Sequence, residues 1–513
     1  MKLEDFQLEL TQLAGAMPVW HGRVDAQQWR TACQQVRDKG GRLVALWGAD
    51  NSDRGTGFAV QAALTVQSGL LVITLPLAGA SFPDLSDIFP AANRMQRALH
   101  DLLGVSAESA ADRRKWLRHA AWPETAFPLR KSFNGGTAFA NGDDGYPFVQ
   151  VGGEGVHEIP VGPVHAGTIE PGHFRFSVVG EGVLRLEERL GYKHKGIEKR
   201  FETMTLAEGA RLAGRVSGDS TVAYAWAYAM AVESAAGVTP PPRALWLRAL
   251  LLERERVGQH LWDLGFLGND AGLAFGLAQF SRLREDLLRT SALLFGHRYL
   301  MDVIVPGGVA WDLAPDGMAR LRGEMETLQG TVNDLKYVYD EHAGLQDRFI
   351  KCGRVAPDLA DRLGLIGIAG RASGQAWDLR VEYPCIPYQE LDVRMATHTN
   401  GDVAARATVR FEEIFESLRL SRLILERLPF GDLTVPVPAP ADGAFGVGWV
   451  EGWRGEIFVA LEAGPDGGIR RCHPHDPSWQ NWPLLERAVL GNIVPDFPLI
   501  NKSFNLSYSG HDL

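Results

Sequence analysis

Cysteine is scarce. The chain of 513 residues has four, Cys33, Cys352, Cys385 and Cys472, and no two stand in a C-x-x-C. Thiolate metal centres usually show paired spacings, so this scatter argues against a four-thiolate site. It fits free, buried thiols in a reducing compartment. A long hydrophobic run is lacking too. The most apolar window, residues 58–80, is interrupted by Gln61, Gln67, Ser68 and Gly69, whereas a spanning helix needs about 20 mostly apolar residues. The opening MKLEDFQLEL is acidic and has no apolar stretch of signal-peptide type. No G-x-G-x-x-G follows a strand-like segment, so no dinucleotide site is visible. Positive charge is in deficit, with 52 Lys and Arg against 62 Asp and Glu. A phosphate-binding surface needs clustered cations, so nucleic acid is not an expected partner. One local basic run, GYKHKGIEKR at residues 191–200, reads as a solvated face or an interface. The expectation is a soluble cytoplasmic protein able to sit on a membrane complex.

The length implies two or three domains. Near the N-terminus, GRLVALWGAD (41–50) reads as a strand. GFAVQAALTV (57–66) and GLLVITLPLA (69–78) read as a hairpin turning at Gln67-Ser68-Gly69. Met95, Leu99, Leu102 and Leu103 have helical spacing. Residues 1–135 are thus a small α/β domain, and 136–160, rich in Gly, Asn and Asp, a linker. Residues 161–513 change character. Two short strands surround Gly180 and Gly182, and long helices are predicted over 205–235, 242–264, 273–295, 315–343 and 402–427. Thr205 and Glu208 form a capping-box signal. VGWVEGWRGEIFVALEAG (447–464) reads as a hairpin. The predicted class is α+β: a small α/β domain joined to a large, mainly helical bundle with short β-hairpins.

Several stretches resemble one family in unbroken order. GPVHAGTIEPGHFRF (162–176), RLGYKHKGIEK (189–199), VIVPGGV (303–309), SGQAWDLR (373–380), THTNGDVAARATVRFEEIFESLR (397–419), EGWRGE (451–456) and DPSWQNWPLLERAV (476–489) carry the likeness. They resemble the quinone-site subunit of respiratory complex I, the forty-nine-kilodalton type, and the large subunit of membrane-bound group 4 [NiFe]-hydrogenases. DIFPAANRMQRALHDLLGV (87–105) and FPLRK (127–131) resemble the thirty-kilodalton subunit of complex I. The resemblance implies a fusion of these two subunit types, closer to the hydrogenase branch. It implies a cytoplasmic subunit, peripheral on the inner face of the cell membrane, in a complex that couples electron transfer to ion translocation. The implied partners are an iron-sulfur small subunit of the twenty-kilodalton type with a nearby [4Fe-4S] cluster, a ferredoxin-like iron-sulfur subunit and ion-pumping membrane subunits. Any link to NAD or to NADH dehydrogenase activity comes through the family alone.

In hydrogenases of this family two C-x-x-C motifs hold nickel and iron through soft, deprotonated sulfur. The first aligns here with RVSGDS, putting Ser217 and Ser220 at cysteine positions. The second aligns with DPSWQN, putting Ser478 and Asn481 there. No NiFe centre is therefore expected, and no cofactor bound by this chain. The complex I relatives place a quinone in the same cavity with Tyr and His donors; Gly218 and Ile169 occupy those positions here. Tyr224 and His165 or His173 are the candidate replacements if quinone binds. Glu170 matches a proton-transfer Glu, a role that a desolvated carboxylate suits; its alternative is a surface or capping role. Arg454 matches an Arg aimed at the metal; it either binds an anionic or carbonyl ligand or pairs with Asp219 or Asp476. Asp219 either carries a proton or caps the next helix with Ser217 or Ser220. His165 faces an iron-sulfur partner or is structural. CHPH (472–475) is too short to imply zinc. Three functions stay open: a redox subunit without its own NiFe centre, a quinone-reducing subunit, and a non-catalytic scaffold.

Overall fold

Branched and leucine-rich segments at the N-terminus pair into one sheet. The computed structural model describes residues 6–140, 142, 145–166 and 169–513. Gly167 and Thr168 of the 162–176 stretch, and residues 141, 143 and 144 of the expected linker, lie outside the described residues. Strands β1 (Leu10–Gln12), β2 (Val19–Arg23), β3 (Leu43–Asn51), β4 (Gly57–Val66) and β5 (Gly69–Leu77) lie in the order β1-β2-β5-β4-β3. The predicted hairpin is present: Val66 faces Gly69 across a two-residue turn, and Gly69 takes a φ of 136° that favours glycine. Helix α1 (Ala26–Asp38) starts at a capping box of Asp25 and Gln28. Helix α2 (Ala92–Leu103) lies on β3, between the parallel pair β6 (Ser81–Pro83) and β7 (Ser106–Glu108).

A second sheet follows, β10-β9-β8, from β8 (Val156–Val161), β9 (His173–Val179) and β10 (Gly182–Arg189). Strand β8 falls, but for its last residue, within the stretch read as linker. It is an edge strand containing Pro160, where a missing N–H costs little, and its half-exposed pattern gives no alternating signal.

Helices α3 (Ile197–Phe201) and α4 (Leu206–Ala213) lead to α5 (Thr221–Ala236). The single helix expected over 205–235 is therefore two. Gly214 ends the first, and Gly218–Ser220 makes a 3-10 turn before the second. Helix α5 is apolar on all sides, with Thr221 through Ser234 buried, as a core helix must be. The other long helices are α6 (Pro242–Asp270), α7 (Ala274–Phe295) and α8 (Pro315–Glu341), with the short pair β11 (Ile304–Val305) and β12 (Gly308–Val309) between the last two. Short helices α9 (Ala343–Phe349), α10 (Pro357–Leu363), α11 (Gly367–Ala372) and α12 (Leu379–Glu382) precede α13 (Val403–Arg427), capped by Asp402.

The predicted hairpin becomes a three-stranded sheet of β13 (Phe445–Glu451), β14 (Glu456–Ala463) and β15 (Ile469–His475). It packs on α5 at glycines. A Cβ on Gly448 would lie 1.8 Å from the Ala227 carbonyl, and one on Gly446 2.0 Å from that of Ala231. Glycines two apart on a strand thus meet carbonyls one helical turn apart. Helices α14 (Ser478–Ala488), α15 (Phe497–Phe504) and α16 (Tyr508–Asp512) finish the chain. The sheet also holds the N-terminal domain: Trp47 stacks on His473 at 5.3 Å, and Arg42 meets Glu456 at 2.9 Å. The architecture is the expected α+β class.

Candidate functional site

The RVSGDS loop is built by the break between α4 and α5. Arg215 ties it outward to Asp302 with two 2.7 Å bonds, while Val216 is buried. The first N–H groups of α5 need acceptors. No side-chain cap comes from Ser217 or Ser220. The carboxylate of Glu255 on α6 accepts from Val222 and Ala223 at 2.7 and 3.2 Å instead. The capping role weighed for Asp219 is thus not made.

Asp219 turns to Arg454, which donates to both carboxylate oxygens, one at 3.2 Å and the other more closely. Arg454 also donates to the Asn505 carbonyl at 2.5 Å and to the Ser220 hydroxyl at 3.3 Å, and lies 4.0 Å over the Trp453 ring. The Trp453 indole N–H closes the set on the Asp219 carbonyl at 2.9 Å. Burial opposes charge on Asp219, yet the Arg454 guanidinium and the Ser217 hydroxyl hold its carboxyl below the ordinary value. Of the two uses weighed for Arg454, the structure has the ion pair, and its partner is Asp219.

Asp476 is fully buried. It accepts from the Ser478 N–H at 2.9 Å and from the Tyr224 hydroxyl at 2.8 Å. Burial and then the Asp476 charge push the Tyr224 phenol well above its ordinary value. The Ser478 hydroxyl accepts from the Ser507 N–H at 2.8 Å. Asn481 turns away to the main chain of Ile366, donating at 3.2 Å and accepting at 3.1 Å.

Ser507, which the sequence reading passes over, completes this corner. Its hydroxyl lies 2.9 Å from that of Ser217, which also donates to Asp219 at 2.6 Å, and it accepts from the Gly510 N–H at 2.8 Å. A Cβ on Gly510 would stand 2.3 Å from the Asp476 carboxylate and 2.9 Å from the Tyr224 hydroxyl. Ser507 and Gly510 repeat the three-residue spacing of Ser217 and Ser220, and Ser507 meets Ser217. That spacing within NLSYSG was the available signal. The donors do not fit a thiolate-held nickel. They are serine hydroxyls already bonded to neighbouring side chains and main chain, and Asn481 turns away. The cysteines lie outside the cleft lining, and burial pushes their thiols up, to about 11 for Cys352 and Cys385. Among the described residues no group of three or more His, Cys, Asp and Glu is placed to hold a metal.

Beside this corner opens a cleft of about 670 Å³. Trp262 and Phe266 of α6 form one wall, their rings 4.4 Å apart. Arg284 lies 4.5 Å over the first and Lys502 4.7 Å over the second. Burial pulls the Lys502 ammonium below its usual value. Glu170 stands at the edge, its side chain 35 % exposed, accepting from the Ser509 N–H at 3.1 Å and from the Ser509 hydroxyl. Ser217, Asp219 and Arg454 line the cleft with it, whereas Tyr224 lies behind the lining.

His165 bonds the Gly172 carbonyl at 2.7 Å, closing its own loop, and His173 bonds that of Gly162 at 3.2 Å. In CHPH, His473 meets Glu198 at 2.7 Å beside Arg471, and His475 meets Gln480 at 3.2 Å. The basic run turns partly inward, Lys195 reaching the Val216 carbonyl at 2.8 Å and Lys199 that of Arg130 at 3.0 Å.

Residues 22–138 match the family of the respiratory-chain NADH dehydrogenase 30 Kd subunit, and residues 270–441 that of its 49 Kd subunit. Formate hydrogenlyase subunit 5 of Escherichia coli is 31% identical over 92% of this chain and 85% of its own length. Hydrogenase-4 component G of the same organism is 32% identical over 92% and 84%. The C/D-type NADH-quinone oxidoreductase subunit of Phocaeicola vulgatus is 28% identical over 83% and 86%. Among solved structures, a chain of the membrane-bound sulfane sulfur reductase, an archaeal respiratory membrane complex, superposes with a TM-score of 0.66 at 25% identity, over 70% of this chain and 99% of that one. The chain belongs to the family that fuses the 30 Kd- and 49 Kd-type subunits and is shared by complex I-like NADH-quinone oxidoreductases and membrane hydrogenase complexes.

Proposed function

We propose that this chain is the large subunit of a membrane-associated oxidoreductase complex, without a NiFe centre of its own. An acceptor enters the cleft and receives electrons from a [4Fe-4S] cluster in a small iron-sulfur partner subunit. A ferredoxin-like subunit feeds that cluster, and ion-pumping membrane subunits take up the coupling. The chain sits at the cytoplasmic face; no helix among its described residues is long and apolar enough to cross a membrane. The observation that supports this reading is the open 670 Å³ cleft ending on bonded hydroxyls where the family's metal site stands. Glu170, at the cleft edge, is the residue we assign to proton delivery. Asp219 and Arg454 present a fixed, paired charge to the acceptor. His165 acts on its loop, and a quinone is one acceptor of suitable size. The mutual bonding of Ser217, Ser478 and Ser507 favours a second reading, a scaffold in which the corner is purely structural.

Nickel and iron analysis of the purified complex, with quinone-linked turnover, tests this. We expect iron from the partner clusters, no nickel above background, and turnover that Glu170→Gln slows. One nickel per complex would refute the reading. Iron without turnover on any acceptor would leave the scaffold.

A further inference from the structure

Behind Trp453 the interior is charged. Seven ionisable side chains converge there: Glu253 and Arg256 of α6, Arg371 of α11, Asp378 and Arg380 at the start of α12, Glu413 of α13, and Glu451 at the end of β13. None is more than 4 % exposed. Arg380 grips Asp378 at 2.7 and 3.0 Å and reaches Glu253 at 3.2 Å. Arg371 holds Glu413 at 2.6 Å and Glu451 at 2.9 Å. Arg256 donates to Glu253 at 3.3 Å and stands 3.6 Å from Glu413. The hydroxyls of Tyr388 and Ser417 each add a 2.6 Å bond to Glu253.

The charges do not balance. Four carboxylates face three guanidiniums. Two neighbours add one charge of each sign: Glu255, which accepts only from the Val222 and Ala223 N–H groups and is pushed by burial up to about 8, and Arg406, which donates to the Ser503 hydroxyl and two carbonyls. The other nearby carboxylates have their own cations. Glu456, opposite Glu451 across β13 and β14, has Arg42 at 2.9 Å; Asp263 has Arg410 at 2.9 Å; Asp219 has Arg454. An unmatched charge this deep is strongly disfavoured, and such a group neutralises by taking up a proton.

Glu451 is placed to carry it, and His260 borders the same network. His260 of α6, fully buried, sets Nε2 2.8 Å from Glu413, and its Nδ1 has no partner. Glu451 accepts at 2.9 Å from Arg371, and its second oxygen takes a longer 3.2 Å bond from the Leu379 N–H. Burial and Asp378 push the Glu451 carboxyl up to about 7, while burial pulls His260 down despite Glu413. Arg256 and Arg410 also face His260, and both disfavour its cation.

We infer that this cluster is a binding site for one exchangeable proton, carried on Glu451 with the neutral His260 imidazole bordering the same network, set against the inner wall of the cleft. The His260 ring meets Trp453 edge-on at 6.2 Å, and Trp453 underlies Arg454. The site touches no acceptor. It changes the charge behind Arg454 by one unit as it titrates, so the field in the cleft depends on pH through groups outside it.

Infrared difference spectra of the purified complex between about pH 5 and 9 test this. The expected result is a buried-carboxylic-acid carbonyl band that disappears as pH rises through neutrality, and the loss of that component in Glu451→Gln. Glu451→Gln leaves three carboxylates against three guanidiniums. A carboxyl raised in the folded state contributes stability that is full at low pH and lost as pH rises through about 7. The variant's melting midpoint should therefore lack the decline of the wild type over that interval. A wild-type spectrum with no titrating carboxyl band overturns the inference whether or not the variant folds, and so does a band titrating near neutrality that keeps its full amplitude in Glu451→Gln; Glu255→Gln separates the contribution of that carboxyl, pushed by burial up to about 8.

Discussion

Asp219 and Arg454 join the loop before α5 to the turn between β13 and β14. Each leaves the other uncompensated if removed, and Arg454 also satisfies the Asn505 carbonyl. Breaking a buried pair costs about 3–5 kcal/mol, less where one partner stays partly wet. The Asp219 side chain is 35 % exposed, so Arg454→Met should cost about 2–3 kcal/mol. It should lower the unfolding midpoint of this subunit in the purified complex, and adding Asp219→Leu should recover most of the loss. A double variant no better than the single one would show that Arg454 acts through packing on Trp453. Residues of this kind are partly legible in sequence. Ser217, Ser220 and Arg454 were expected at the site, and Ser217 and Arg454 line the cleft while Ser220 bonds Arg454. Ser507 and Gly510 do not declare themselves, because a serine and a glycine three apart are common and only their meeting with Ser217 and Tyr224 gives them meaning.

Elements were legible where one period ran unbroken. The β4–β5 hairpin, α2 and the long helices α6, α7, α8 and α13 follow from alternation, apolar spacing and end signals. The failures share a cause. The 205–235 segment keeps a helical composition across its break, because Ser217, Gly218 and Asp219 interrupt it only briefly, and the acceptor that starts α5 is Glu255 on another helix. Strand β15 carries Cys472-His473-Pro474-His475, and its face is set by Trp47 and Glu198 rather than by alternation. The α5–β13 contact depends on absent side chains. Gly448→Val would drive a branched side chain into the Ala227 carbonyl. Overpacking of this kind costs about 1–3 kcal/mol, more where backbone must move. The expected outcome is loss of soluble subunit from the assembled complex, read by its yield, while valine at open Gly323 has no comparable effect on packing.

Across the whole molecule the two domains behave as one body in their contacts. Arg94 of α2 reaches Glu188 and Glu486 at 2.9 and 2.7 Å, Arg470 reaches Asp53 at 2.6 Å, and the Lys131 ammonium reaches the Arg470 carbonyl at 2.6 Å. Trp47 and Phe458 pack at 5.4 Å beneath them. A protease site inserted after Gly152, an open position, should therefore give two fragments that co-elute on gel filtration. Fragments that separate at neutral pH and moderate salt would show that the connecting chain holds the domains together.

Resemblance along ordered stretches was enough for the family, periodicity for the α+β class, and alignment for the expectation that serine and asparagine stand where relatives hold metal, because these depend on residue identity and order along the chain. What stands at those positions is a property of the fold. The pairing of Asp219 with Arg454, the arrival of Ser507 beside Ser217, and the four carboxylates left facing three guanidiniums join residues separated by scores to hundreds of positions. Burial, which no local pattern reports, decides their charge states. The RVSGDS loop is thus legible as a place in the chain, and becomes a bonded wall of an open cleft through the contacts that folding supplies.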